Sequence, residues 1–201
     1  MAGEPTPEAA KKPAPPGLAL VQDYVNTTKR LYGQEGLTSP YRLRRWLIGH
    51  RLLERNDGVT TDDLRDAIDL REALRGLMLT NTIGGPNAGA VEMFNRIAGR
   101  AVLRAHLGAD ARPAIEPCTG GVPRGFGMIA STALLAMIDG SWQRLKACAN
   151  ADCQWSFYDR SPSGSGTWCE MAVCGSRAKM RAYRQRRSAG GRHRRRDHGE
   201  P

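Results

Sequence analysis

Four cysteines fall in two pairs of equal internal spacing: Cys148 and Cys153 in C-A-N-A-D-C, and Cys169 and Cys174 in C-E-M-A-V-C. Each short loop can turn two sulfurs towards one ion, and four thiolates make the closed tetrahedral set that Zn²⁺ takes in structural sites. The expectation is one structural zinc per chain, with no coordination position left open for catalysis. Two disulfides and an iron–sulfur cluster are the competing uses of four cysteines. The paired short spacing favours zinc, as does an N-terminal stretch, MAGEPTPEAAKKPAPPG, without the apolar run of a secretory leader. The compartment expected is therefore the reducing cytoplasm, and the usual iron–sulfur spacings differ from these. Cys118 stands apart and is expected to be a small buried hydrophobe with no ligand role.

The residues after the fourth cysteine have the chemistry to hold anions. Gly175-Ser176 is expected to open a helix that runs to Arg187, with the Ser176 hydroxyl as its N-cap. On that helix Arg177, Arg181 and Arg184 share one face at i, i+4 and i+7, while Lys179, Arg186 and Arg187 add charge around the rod. Ala178 and Ala182 leave a small side that can pack on the finger. The formal charge of +10 is placed unevenly: 17 Lys/Arg face 15 Asp/Glu up to Gly140, and 13 face 5 from Ser141 onward. Such a surplus calls for a polyanion, and a basic segment without bulky apolar anchors fits nucleic acid rather than a membrane. DNA is the partner expected, with RNA the rival because phosphate contacts do not tell the two apart.

These sites need elements to position them. Residues 1–17 are expected to form a disordered N-terminal segment, 18–140 a mainly helical domain with a small β element, 141–187 the zinc finger with its basic helix, and 188–201 a disordered basic tail. Helical spacing predicts a first helix through Leu20, Tyr24 and Val25. Ser39-Pro40 predicts a second, with Leu43, Trp46 and Leu47 inward. Thr61 is expected to cap a third, in which Leu64, Ala67, Ile68 and Leu74 recur, and Val91, Phe94, Ile97 and Ala98 mark a fourth. Residues 101–107 and 112–118 are expected to pair as a hairpin. The glycines and prolines of 117–127 read as a loop before a buried helix through Ile129, Ala130, Ala133, Leu134 and Met137, too short to span a bilayer. Treated as separate units, the finger is expected to unfold on loss of a cysteine while the helices persist.

Arg71 and Arg75 follow Leu64 and Ile68 by seven residues each and so lie near the apolar face of the third helix. A buried guanidinium needs a carboxylate, backbone acceptors or an anionic ligand. A structural salt bridge is the first reading, and a site for an anionic small molecule, either effector or enzyme substrate, the second. His50, His106, His193 and His198 form no metal or triad spacing, and no phosphate-cradling glycine motif occurs. A binding protein is therefore expected, not an enzyme.

The segment from Cys148 to Arg187 resembles the CGNR zinc finger, on C-x4-C-x-W-x-F-x-D, W-C-x-M-x-x-C-G and R-A-K-x-R-x-Y-R. Ser176 stands where that family's name places asparagine, and Gly164 to Thr167 stand where arginines are common. Leu18 to Gly140 resembles the ABATE domain that precedes this finger in stress-induced transcriptional regulators, on Asn26-Thr27 and on L-R-E-A-L-R at Leu70 to Arg75. The resemblance implies a zinc-dependent DNA-binding regulator with a ligand-sensing N-terminal domain.

Overall fold

A capping box starts the helix on which everything else is laid. The Thr60 hydroxyl accepts from the Asp63 N–H at 3.1 Å, and the Asp63 carboxylate accepts from the Thr60 N–H at 2.8 Å. The cap thus sits one residue before the expected Thr61, because Asp63 closes the box only from that position. The helix, α3 (Thr61–Ile83), runs for 23 residues and buries Ala67, Leu70, Leu74 and Met78 completely. The computed structural model describes residues 12–193, with side chains as far as Arg186.

Around α3 lie α1 (Pro16–Val25), α2 (Pro40–Gly49), α4 (Ala88–Ala98) and α5 (Gly121–Ile138). Ser39 caps α2 through the Arg42 N–H, with Pro40 in its first turn, as the sequence predicts. Asn87 caps α4, which turns Ala90, Phe94 and Ile97 inward and leaves Val91 outside. Val91 is therefore not a core residue.

Among the described residues three two-stranded antiparallel sheets complete the fold. The strands β1 (Thr28–Lys29) and β2 (Gln34–Glu35) form a small ribbon after α1. The expected hairpin is present as β3 (Leu103–Leu107) and β4 (Pro113–Pro117), with Leu103 opposite Pro117 and Leu107 opposite Pro113. The third pair, β5 (Leu145–Ala147) and β6 (Ser156–Tyr158), belongs to the finger.

Helix α5 begins at Gly121, well before the expected Ile129. Pro123 is tolerated because the first turn has no partner for its missing N–H. Two of the glycines that read as a loop, Gly125 and Gly127, are places of close approach: a Cβ on Gly127 would lie 2.7 Å from the Ala101 Cβ and 3.0 Å from the Pro117 Cβ. Among the described residues α5 alone is long and apolar enough to cross a membrane, and half of it is buried inside the protein.

Residues 12–15 are bonded to the body although they fall in the segment expected to be disordered. The Tyr158 N–H donates to the Lys12 carbonyl at 3.0 Å, the Ala14 N–H to Gln22 Oε1 at 2.6 Å, and Arg160 to the Pro13 carbonyl at 3.0 Å. Residues 1–11 and 194–201 lie outside the described residues, as do the side chains of Arg187, Arg192 and His193.

The contrast between two glycines gives a test. Gly89, exposed in α4, where a Cβ would meet only Asn87 Oδ1 at an unstrained 4.0 Å, should gain about 0.5–1 kcal/mol when changed to alanine. Gly127→Ala should instead lose about 1–3 kcal/mol by overpacking the root of the hairpin. Urea unfolding of both variants measures the difference in sign.

Candidate metal centre and its basic helix

The strands β5 and β6 deliver the first cysteine pair. Between them the chain turns tightly: Cys153 and Gln154 both donate their N–H to the Asn150 carbonyl, at 2.8 and 3.0 Å, and the Cys148 N–H donates to the Trp155 carbonyl at 3.0 Å. Gln154 takes a left-handed φ of 46° to complete the knuckle. The second pair is set by a widened, π-helical turn, Met171–Gly175, whose end carries Cys174. Cys174 and Gly175 both donate to the Glu170 carbonyl, at 2.9 and 3.3 Å. A Cβ on Gly175 would meet the Met171 sulfur at 2.3 Å and the Trp168 ring at 3.3 Å, so a larger residue after the cysteine would have to move the exposed Met171 side chain.

These two turns bring all four Sγ atoms within 4.8 Å of one another. Cys153 lies 3.7 Å from Cys169, and Cys169 lies 3.8 Å from Cys174. A tetrahedron of sulfurs about 2.3 Å from zinc has edges of about 3.8 Å. No disulfide joins them, the sulfurs standing well beyond the roughly 2.05 Å of that bond. Cys148, Cys153 and Cys174 are buried and Cys169 is half-buried, with Leu31, Trp155, Trp168 and Val173 packed around them. Trp155 and Trp168 thus form part of the finger's small core, while Phe157 on β6 is fully buried with the Lys12 ammonium 4.8 Å from its ring centre. Cys118 is exposed and takes no part, so it is not the buried hydrophobe expected.

Without a cation the four sulfurs cannot share their negative charge. Hydrogen bonds from Cys153 and Cys169 hold the Cys148 thiol far below its ordinary value, and the same contacts push Cys153 and Cys169 up. A divalent metal replaces those protons, and the set fits Zn²⁺ with every ligand position taken.

A second polar cluster shapes the loop that joins the two cysteine pairs. Lys146 and Asp159, both almost wholly buried, meet at 3.0 Å, and the Lys146 ammonium also bonds the Gly164 and Gly166 carbonyls. Asp159 accepts the Gly166 N–H at 2.6 Å and the Ser161 hydroxyl at 2.7 Å. Burial alone would raise its carboxyl, but the bonds from Ser161, Lys146 and Gly166 hold it far below its ordinary 3.8. A Cβ on Gly166 would strike this carboxylate at 2.7 Å. Gly164 and Gly166 therefore wrap a buried ion pair.

The finger is bound to the helical unit through its own backbone. From α3, Asn81 donates to the Trp142 and Leu145 carbonyls, each at 2.9 Å, and Thr82 donates to the Ala147 carbonyl at 2.7 Å. Just past α1, Asn26 pairs with Ser156 at both backbone groups, accepting its N–H at 2.8 Å and donating to its carbonyl at 3.0 Å. Gln22 donates to that same carbonyl at 3.1 Å. Trp142, Leu145 and Ala147 belong to the same apolar core as Leu70 and Leu74.

Arg71 and Arg75 belong to this junction. Arg71 grips Glu35 with two nitrogens at 2.7 and 2.8 Å, and bonds Glu72 at 2.9 Å and Thr27 at 3.2 Å. Arg75 bonds Glu72 at 3.0 Å, the Val25 carbonyl at 2.6 Å and the Gln154 carbonyl, beside Cys153, at 2.7 Å. Protein acceptors hold both guanidinium groups. The ligand-binding reading of this pair is replaced by the structural one: Arg71 locks β2 to α3, and Arg75 locks the zinc knuckle to α3.

The fourth cysteine's turn passes directly into α6 (Ser176–His193). Ser176 is already helical and its hydroxyl lies 3.4 Å from the Met171 carbonyl, so the widened turn begins the helix and Ser176 does not cap it. Ala178 and Ala182 are half-buried, whereas Arg177, Lys179, Arg181, Arg184 and Arg186 are exposed. Arg181 is anchored as well, bonding Asn150 at 2.7 Å and Asp152 at 3.2 Å. The side chain expected at Arg187 falls outside the described residues.

Residues 144–187 match the CGNR zinc finger, and residues 18–139 match ABATE, described as "Putative stress-induced transcription regulator". The second match covers more than half of the chain. The protein belongs to the ABATE family. No curated protein matches it. The ABATE unit here is the mainly helical part, and the CGNR finger binds one structural zinc through Cys148, Cys153, Cys169 and Cys174. Of the residues that hold the ABATE unit to the finger, Asn26 and Arg75 lie in stretches that carry the family resemblance. Gln22, Asn81 and Thr82 gave no signal, because a polar residue on a helix does not announce which backbone it will meet.

Two outcomes follow for this junction. Cys148→Ser should lose zinc and also lower the melting temperature of the helical signal, since the unfolded finger strips Asn26, Gln22 and Arg75 of their partners. Metal analysis with thermal circular dichroism tests this; helices melting at the parental temperature would show independent units instead. Asp159→Asn, which leaves the Lys146 charge buried and unpaired, should cost about 3–5 kcal/mol at pH 7 in urea unfolding. Because the folded carboxyl titrates below 3.8, this contribution is complete above that value and fades as the pH falls towards the folded one.

Proposed function

We propose that this ABATE protein is a DNA-binding transcriptional regulator of the cytoplasm, with α6 as its principal nucleic-acid contact. The observation that carries the reading is the position of α6. It springs from the fourth cysteine's turn, so the zinc fixes its first residues, and Arg181 ties the next turn back to the knuckle through Asn150 and Asp152. From Ser176 to His193 the helix carries seven Lys/Arg and no carboxylate. An oriented rod of exposed guanidinium groups suits a phosphate backbone, with or without reading of base edges.

The zinc has a structural role in this reading. Its ligand set is closed, and no residue is assigned a catalytic part; the chain acts by binding. Arg71 and Arg75 offer no free guanidinium for an effector, so regulation by an anionic small molecule has no support at that pair.

Arg181 serves the fold as well as the surface, so the test uses the other members of the face. Arg177→Gln with Arg184→Gln should weaken binding to duplex DNA and reduce the magnitude of the log–log salt slope by about 1.8, at roughly 0.9 for each lost phosphate contact. Zinc content and circular dichroism should stay parental. Unchanged affinity and slope in the folded variant would remove α6 from the interface. Competition between duplex DNA and structured RNA decides between the two nucleic acids, and stronger retention of RNA would reassign the partner.

A further inference from the structure

Helix α2 carries a cationic surface that the metal centre does not use. Residues 40–59 hold five arginines against Glu54 and Asp57, whereas the rest of 18–140 has ten Lys/Arg against eleven Asp/Glu. The surplus charge of the ABATE unit therefore lies in this one stretch. Elsewhere most arginines of this unit meet carboxylates: Arg30 and Arg75 meet Glu72, Arg71 meets Glu35, and Arg96 and Arg100 meet Asp66, while Arg104 and Arg124 stand singly, without neighbours of like charge in sequence. Among the described residues Arg42, Arg45, Arg51 and Arg55 form no ion pair, and all four are exposed.

The geometry groups these charges. The exposed residues of α2 are Tyr41, Arg42, Arg45 and Gly49, with Leu43 and Leu47 buried opposite. The Arg45 guanidinium lies 5.9 Å from the centre of the Tyr41 ring, and a Cβ on Gly49 would meet nothing. Arg44 turns back and donates to the Asp57 carbonyl at 2.9 Å and to the Arg55 carbonyl, which fixes the following loop beside the helix without cancelling its own charge. Arg51 sits at a left-handed φ of 59° just past the helix, where glycine is the easier residue.

We infer that this face of α2 is a second contact for the phosphate backbone of duplex DNA, so that nucleic acid is held by the ABATE unit as well as by α6. The inference rests on the nucleic-acid reading of α6. Its occupant follows from charge: guanidinium groups without carboxylate partners suit a phosphodiester, and the Tyr41 hydroxyl can add a neutral donor. A membrane fits poorly, because Tyr41 is the one bulky apolar group on that face.

The test measures binding of full-length, zinc-loaded protein to a mixed-sequence DNA duplex across a salt series. Arg42→Gln with Arg45→Gln should weaken binding and reduce the salt-slope magnitude by about 1.8, while Arg42→Lys with Arg45→Lys should keep the parental slope. If the glutamine pair leaves affinity and slope parental while Arg177→Gln with Arg184→Gln lowers them, the α2 contact is overturned and α6 stands. If neither pair changes them, both readings fail. If only the α2 pair does, α2 is the principal contact and α6 is displaced. Weakening without a change of slope would mean that α2 does not touch phosphate, and overturns the inference. If the glutamine pair loses its helical signal, Arg51→Gln with Arg55→Gln, in the loop just past the helix, carries the same test; parental affinity and slope in that folded variant overturn the inference too.

Discussion

Two strands of three residues each cannot satisfy their own backbone, and the rest of the structure is arranged around that deficit. The buried edges of β5 and β6 present carbonyls and an N–H with no further strand beside them, and a buried backbone group left unpaired costs about as much as a lost hydrogen bond. Side chains of the ABATE unit fill the place of the missing strands. Asn26 meets Ser156 at both of its backbone groups as a neighbouring strand would, Asn81 and Thr82 serve β5, and Arg75 serves the knuckle itself. Zinc fixes the far end of the finger, and the helices fix the near end.

This division explains how arginine is used along the chain. Where a guanidinium is buried, as at Arg71 and Arg75, it is surrounded by carboxylates and carbonyls and acts as a many-pronged fastener. Where it lies on the outer faces of α2 and α6, its charge stays available to solvent. Arg181 stands between the two conditions, half-exposed yet bonded to the knuckle. The same residue type therefore carries two jobs, separated by burial and by the presence of a nearby carboxylate.

The metal site was legible in the sequence because thiolates at paired short spacing have few uses, and the ligands are local pairs that two turns can bring together. Helices α1 to α4 were legible through caps and apolar spacing, and the hairpin through its period. The misreadings have a common origin in tertiary contact. Gly125 and Gly127 read as loop because nothing in one sequence reveals that Leu52 and Ala101 come to lie against them. Arg71 and Arg75 stayed open to two readings because their partners, Glu35 and the Gln154 carbonyl, are 36 and 79 residues away. The widened turn at Met171–Gly175 was invisible for a different reason: it depends on where Trp168 and Met171 pack around a glycine.

The contact between residues 12–15 and the finger has a consequence for synthesis. Arg160 bonds the carbonyl of Pro13, 147 positions earlier in the chain. At about 5–20 residues per second a ribosome needs roughly 7–30 s to make that interval, and during it residues 12–15 have no strand to lie against. The ABATE helices can gather as they emerge, but the seam that closes them waits for the finger. A segment made later thus completes one made earlier.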